Sequence, residues 1–246
     1  MAMEPQPAGL SEFSRLSGVF FEPKKAFADI AQRPSWVVPM LLVILAGLVF
    51  CVAVGQRIGW ANVAQQQMEA RMAKMTPEQR DQAQKGLEIS QKITPVIGYV
   101  IAVVGPPIGY LISAAVLMGI VSGIMSAPVK FKQAFAVMCY AGLPGLIFVV
   151  LAVVVIYLKA NPADFDIQHP LAFNAGALMD PQTSSKFLYT IASAIDVFSI
   201  WKILLIAVGL KAAAGKKLSF GGALTAVLAP WVVLVLIGAT FAGMFS

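Results

Sequence analysis

Charge is withheld from long stretches of this chain, and those stretches have the length of a membrane crossing. Trp36–Gly55, Ile93–Val129, Gln133–Leu158 and Leu218–Ser246 contain no Asp, Glu, Lys or Arg, and Phe187–Leu210 contains only Asp196 and Lys202. A helix of about 20 apolar residues crosses about 30 Å of hydrocarbon. The second stretch is too short for two crossings and a turn. The expectation is five spans, at about 36–56, 95–127, 134–158, 187–210 and 219–244. Within the second, Gly105-Pro106-Pro107 is expected to kink or break the helix, because two prolines remove two backbone donors.

The 246 residues are 59% hydrophobic and 12% charged, about half the charge of a soluble domain. Disorder needs the opposite balance, and two cysteines do not staple a secreted fold. The fold class expected is therefore all-α, a polytopic integral membrane protein. No cleavable signal segment is expected, since the first 35 residues are polar and of mixed charge.

Lys and Arg in the loops set orientation. The two sides are nearly balanced in number. The tight loops, however, are purely basic: Lys130 and Lys132 after the second span, Lys211, Lys216 and Lys217 after the fourth. Short loops obey the rule best, which puts the N-terminus in the cytoplasm and the C-terminus outside. The net charge of +6 then belongs to anionic lipid rather than to nucleic acid.

Residues 1–35 form the cytoplasmic segment ahead of the membrane domain 36–246. Phe13, Leu16, Phe20, Phe27 and Ile30 recur at helical spacing, with Pro23 placed to start a second helix. Phe20, Phe27 and Trp36 are assigned to the membrane interface, on amphipathic helices lying on the leaflet. Between spans one and two, Thr76-Pro77-Glu78-Gln79 is a helix start. The pairs Asp81/Lys85 and Glu88/Lys92 support a solvated helix, and Met68, Met72 and Met75 share a face. An external helical hairpin is expected there, its methionines packing rather than binding a ligand.

Ala115, Gly119, Gly123 and Ala127 are four apart and read as a helix-packing stripe, against the chain itself or against a second copy in a homo-oligomer. Cys51 and Cys139 read as small buried hydrophobes. A single histidine, His169, excludes a two-histidine zinc site, and no Gly-x-Ser-x-Gly elbow is present. Gly215-Lys216-Lys217 lacks the spacing and the hydroxyl of a phosphate loop. Asp164, Asp166 and His169 are read as a solvated loop ahead of a metal site. No catalytic residue, metal or cofactor is expected. Asp196 and Lys202 stand apart, because an ionisable group in a span needs an internal partner or a route to water. Six residues separate them, about 120° out of register, so they do not pair on one face. Interior partners and an interfacial, snorkelling placement both fit the sequence.

Several segments together resemble the Yip family of Ypt/Rab-interacting membrane proteins, in particular its prokaryotic branch. They are Val19-Phe20-Phe21-Glu22-Pro23-Lys24-Lys25-Ala26-Phe27 with Pro34 and Pro39; Phe135 and Tyr140-Ala141-Gly142-Leu143-Pro144; Asp196-Val197-Phe198-Ser199-Ile200-Trp201 with Gly209-Leu210; and Ser219 with Ala223. The resemblance implies five spans, no established reaction and, for the prokaryotic branch, a bacterial inner membrane. Eukaryotic members bind Rab GTPases and influence vesicle traffic and membrane shape. The Asp-Leu-Tyr-Gly-Pro-type element of those members is absent from this sequence, so Rab binding is not implied. The expected function is a membrane scaffold that recruits a protein partner or organises the bilayer. The alternative is a small oligomeric transporter or channel using Asp196 and Lys202.

Overall fold

A computed structural model describes residues 9–72, 76–161, 165–167, 169–180 and 183–244. Ten α-helices are found among them: α1 (Glu12–Phe21), α2 (Pro23–Gln32), α3 (Val37–Arg57), α4 (Trp60–Met72), α5 (Pro77–Met118), α6 (Phe131–Ala141), α7 (Pro144–Leu158), α8 (Lys186–Ala194), α9 (Val197–Ala214) and α10 (Phe220–Met244). The described residues contain no strand beyond one isolated bridge, Asn174 with Asp196. Five segments are long and apolar enough to cross a membrane: Val37–Arg57, Gly86–Ile124, Phe131–Leu158, Val197–Lys217 and Phe220–Met244. The all-α, five-span expectation is met. The fourth segment starts at Val197 rather than 187, because the chain breaks between α8 and α9. Met72, Met75, the Asp81/Lys85 pair and Asp164 lie outside the described residues and side chains.

The chain divides into two compact units. One comprises Leu42–Ile108 and Gly145–Ala172. Its core is built from Ala53, Val54, Ile58, Val63, Ile156 and Phe165. Gly59, at φ +86, makes the turn from α3 into α4 in a conformation that favours glycine. Trp60 then lies against glycine surfaces on two helices. A Cβ on Gly55 would fall 2.6 Å from its Nε1, and one on Gly98 would fall 2.7 Å from its ring. Pro95, Pro106 and Pro107 all lie inside α5, which runs unbroken from Pro77 to Met118. Of the kink or break expected at Gly105-Pro106-Pro107, the break is corrected: the helix continues through both prolines. Its irregular part comes later, as a π-helix over Gly119–Ile124.

The other unit comprises the residues to Leu41, Gly109–Pro144 and those from Phe173. At its centre is α6, whose residues Ala134–Ala141 are buried on every side. Around it pack α1, α2 and α9, and α10 packs on α8 and α9.

Candidate functional site

The N-terminal hairpin is ordered from its own sequence. Ser11 caps α1, its hydroxyl accepting from the Ser14 N–H at 3.2 Å. Glu22-Pro23 ends α1 and starts α2, where proline needs no donor. The apolar face of α2, Ala26, Phe27, Ile30 and Ala31, is buried. Phe27 and Val137 of α6 both close on Gly209 of α9, where a Cβ would lie 2.9 Å from Phe27 and 2.4 Å from Val137. Phe27, expected at the lipid interface, is thus wholly inside protein. Phe20 meets Trp201 edge-on at 5.7 Å between ring centroids, and Trp36, 38% exposed, packs on Phe135 at 5.4 Å. The physical reason is that α6 and α9 offer a complementary apolar surface, so burial against protein removes the Phe27 ring from water as lipid would.

Beneath the hairpin lies a polar network. Arg15, the one buried charged residue among those described, is 5% exposed. Its Nε donates to Asp29 at 2.6 Å, and its Nη1 donates to Glu12 at 3.0 Å and to Ser35 at 2.8 Å. Tyr140, fully buried in α6, donates its hydroxyl to Glu12 at 2.5 Å and lies 3.0 Å from the Ser35 hydroxyl. Asp29 also accepts from the Leu10 N–H at 3.2 Å and from Arg33. Burial alone would raise the Asp29 carboxyl. The hydrogen bonds from Arg15, Leu10 and Arg33, with the Arg15 charge, hold it below its ordinary value instead. Glu12 is likewise pushed up by desolvation but held low overall by Tyr140, Ser35 and Arg15. The arrangement keys α1 and α2 onto α6. What remains outward is Phe13, 79% exposed, and Phe21, 85% exposed, beside exposed Lys24 and Lys25.

The second feature is a broken helix. Phe187 of α8 lies against Gly243 near the end of α10, while Gly215–Lys217 turns α9 back into α10. Together α8 and α9 run antiparallel to α10, so their break at Ile195-Asp196 falls between the two ends of that span. Chain from 173 onward supplies the partners: the Val197 N–H donates to Phe173 O at 3.1 Å, and the Ala175 N–H donates to Ile195 O at 3.1 Å. Asp196 is the N-cap of α9, one carboxylate oxygen accepting from Phe198 N–H at 2.9 Å and Ser199 N–H at 3.0 Å. Gly176 is needed for the close approach, because a Cβ would sit 2.2 Å from Ser193 Oγ and 3.1 Å from its Cα.

Lys202 lies on α9 with its Nζ 5.1 Å from the centre of the Tyr110 ring. Asp196 does not reach it, and none of the ion pairs among the described residues includes it. An unpaired ammonium in a span costs about 2.5–3.5 kcal/mol on insertion scales, and a cation–π contact offsets about 0.5–2 kcal/mol of that.

A family model for the Yip1 domain matches residues 17–242. The chain belongs to the Yip1 domain family. No curated protein and no solved structure shows a match. As a Yip1-domain protein with five apolar spans it is an integral membrane protein. The match begins after Leu10, Glu12 and Arg15 and covers Asp29, Arg33, Ser35 and Tyr140. In this Yip1 domain the small-residue ladder does not form an internal packing stripe. Ala115, Gly119 and Gly123 are exposed, nothing lies within 4 Å of a Cβ built on either glycine, and only Ala127 is buried. The buried side is Ala114, Leu117 and Val121, and the π-helix throws the four-residue spacing out of register. Sequence pattern does not single out Arg15, Asp29, Ser35, Tyr110 or Tyr140 as site residues. The nearest signal is Asp29 with Arg33, four apart on a helix otherwise short of acid.

Proposed function

We propose that this Yip1-domain protein is a non-enzymatic membrane scaffold whose α1–α2 hairpin is the docking face for a partner protein or for lipid. The observation that carries the reading is the hairpin itself. Its inner face is fixed by a buried arginine network, while Phe13, Phe21, Lys24 and Lys25 are held outward. Ordering two aromatic rings in advance removes an entropy cost from any later binding event. The positive-inside rule supports a cytoplasmic hairpin, and the prokaryotic resemblance supports a bacterial inner membrane.

A photoreactive phenylalanine at Phe13 or Phe21 should form intermolecular adducts in intact cells, and one at Phe27 should not. Equal adducts at all three positions, or none at 13 and 21, would overturn the reading. In the same cells Thr76→Cys and Asn161→Cys should react with an impermeant thiol reagent and Ser219→Cys should not; the reverse pattern inverts the orientation.

The break between α8 and α9 supports a second reading, a small transporter or channel, since discontinuous helices line many substrate pathways. Asn caps helices as well as Asp does, so Asp196→Asn should leave stability within about 0.5 kcal/mol of the parent, while Asp196→Ala should lose about 1 kcal/mol. A stable Asp196→Asn variant that loses a flux measurable in proteoliposomes favours transport. Unchanged flux, or no flux in the parent, favours the scaffold.

A further inference from the structure

We propose that Lys202 and Tyr110 form an anion site inside the bundle that takes a phosphate-type oxygen, supplied by the phosphodiester of an anionic phospholipid. The two side chains share one place, with the Lys202 ammonium over the Tyr110 ring. The Tyr110 hydroxyl lies over the backbone of Gly142, where a Cβ would fall 2.1 Å from the oxygen. Both groups donate hydrogen bonds, and no described acceptor receives one from either. Asp196, the acid nearest to Lys202 in sequence, spends one carboxylate oxygen on its own helix and lies about 120° round from it.

Snorkelling does not resolve the charge toward the basic end of α9. A helical side chain leans toward the N-terminus of its helix, so Lys202 points away from Lys211, Lys216 and Lys217. Neither donor is sealed in. Ser193 Oγ is the wholly buried side-chain polar atom that lacks a partner among the described residues, and Lys202 Nζ and Tyr110 OH are not of that kind. Two donors in one place, one of them cationic, neither wholly buried and neither with an acceptor among the described residues, are complementary to an anionic oxygen. A phosphodiester brings that oxygen on a molecule whose acyl chains are already soluble in the surroundings. Tyr110 supplies a ring face for the ammonium and a hydroxyl for the same anion, which is why neither residue alone defines the site. The inference stands apart from the scaffold reading, which rests on the hairpin.

Native mass spectrometry of the intact purified chain tests it, with phosphatidylglycerol competing against phosphatidylcholine and with inorganic phosphate added separately. The parent should retain phosphatidylglycerol with about tenfold preference. Lys202→Met should lose that preference, Tyr110→Phe should reduce it, and Lys202→Arg should keep it. Lys216→Gln with Lys217→Gln should also keep it, which separates the site from the basic loop. The melting temperature of each variant in detergent shows that it is folded. If Lys202→Met does not fold, a reduced preference in Tyr110→Phe with preference retained in Lys202→Arg supports the site equally. Inorganic phosphate raising the melting temperature of the parent, with no lipid retained, would overturn the lipid as source. Equal lipid preference in Lys202→Met, or no anion bound by the parent, overturns the site.

Discussion

Asp29→Ala should detach the N-terminal hairpin and lower stability by about 3–5 kcal/mol, the loss expected when one partner of a buried ion pair is removed and the other is left charged in the interior. The group left behind is Arg15, whose side chain is 6% exposed, against 11% for Asp29, and whose remaining acidic partner is the more exposed Glu12. The measurement is hydrogen exchange over residues 12–32 in detergent, with the melting temperature alongside. Exchange should rise in α1 and α2 together, because both helices lose their shared anchor. Slow exchange in Asp29→Ala would mean that Phe27 and Ile30 hold the hairpin without the network. Replacing both partners, as in Asp29→Leu with Arg15→Met, should recover part of the loss, since no charge is then left buried: Arg33 is exposed, and Glu12, 41% exposed, keeps its hydrogen bonds from Tyr140 and Ser35.

The same network sets a pH dependence. Asp29 and Glu12 are both held below their ordinary values of 3.8 and 4.5. At acid pH the unfolded chain therefore binds more protons than the folded one, and stability falls as pH falls. The contribution is complete above about pH 5 and is lost as pH drops through the depressed folded values. Docking should be flat from neutrality to about pH 5 and weaken below about pH 4. Asp29→Ala should show a shallower acid slope.

Gly209→Ala should cost at least about 1–3 kcal/mol, because the site is overpacked by the first carbon added. Three helices meet there, and the new Cβ would fall 2.4 and 2.8 Å from the two methyls of Val137 and 2.9 Å from Phe27. Val137 and Phe27 are themselves fully buried, so neither has room to yield. Val137→Ala in the same chain should recover part of the loss, which a general intolerance of α9 would not. Gly119→Ala and Gly123→Ala are the controls, since nothing lies within 4 Å of either Cβ and their backbone is free of strain. Thermal unfolding of these variants in one detergent gives the comparison. A Gly119→Ala loss as large as that of Gly209→Ala would show that the exposed ladder carries a contact between copies.

Several residues that carry the Yip resemblance become contact points in the structure. Pro23 opens α2, Tyr140 reaches Glu12, Gly142 makes room for Tyr110, Asp196 caps α9, Trp201 meets Phe20, and Gly209 receives Phe27. All of these lie in the unit that includes α1, α2, α6 and α9. The resemblance is thus to a packing scheme, legible as scattered small, aromatic and proline residues before any contact is known.

Hydropathy determined the helical class and the five spans, because apolar runs of this length between charges have few alternatives in a membrane. Local chemistry determined where α1 and α2 meet, because Glu22-Pro23 acts within one turn of chain. Tertiary structure decided the rest. An aromatic face at helical spacing is the same pattern whether lipid or protein covers it, and only the surfaces of α6 and α9 assign Phe27 to protein. Prolines inside an apolar run read as a break until the folded chain shows α5 carrying them. Asp196 in a span reads as a buried charge until the chain at 173–175 completes the break and makes it a cap. The partnership of Arg15 with Asp29 is between different helices, and of Glu12 with Tyr140 between residues 128 apart, so no periodicity records either. Sequence carries the burial each residue needs, and only the folded chain decides which surface provides it.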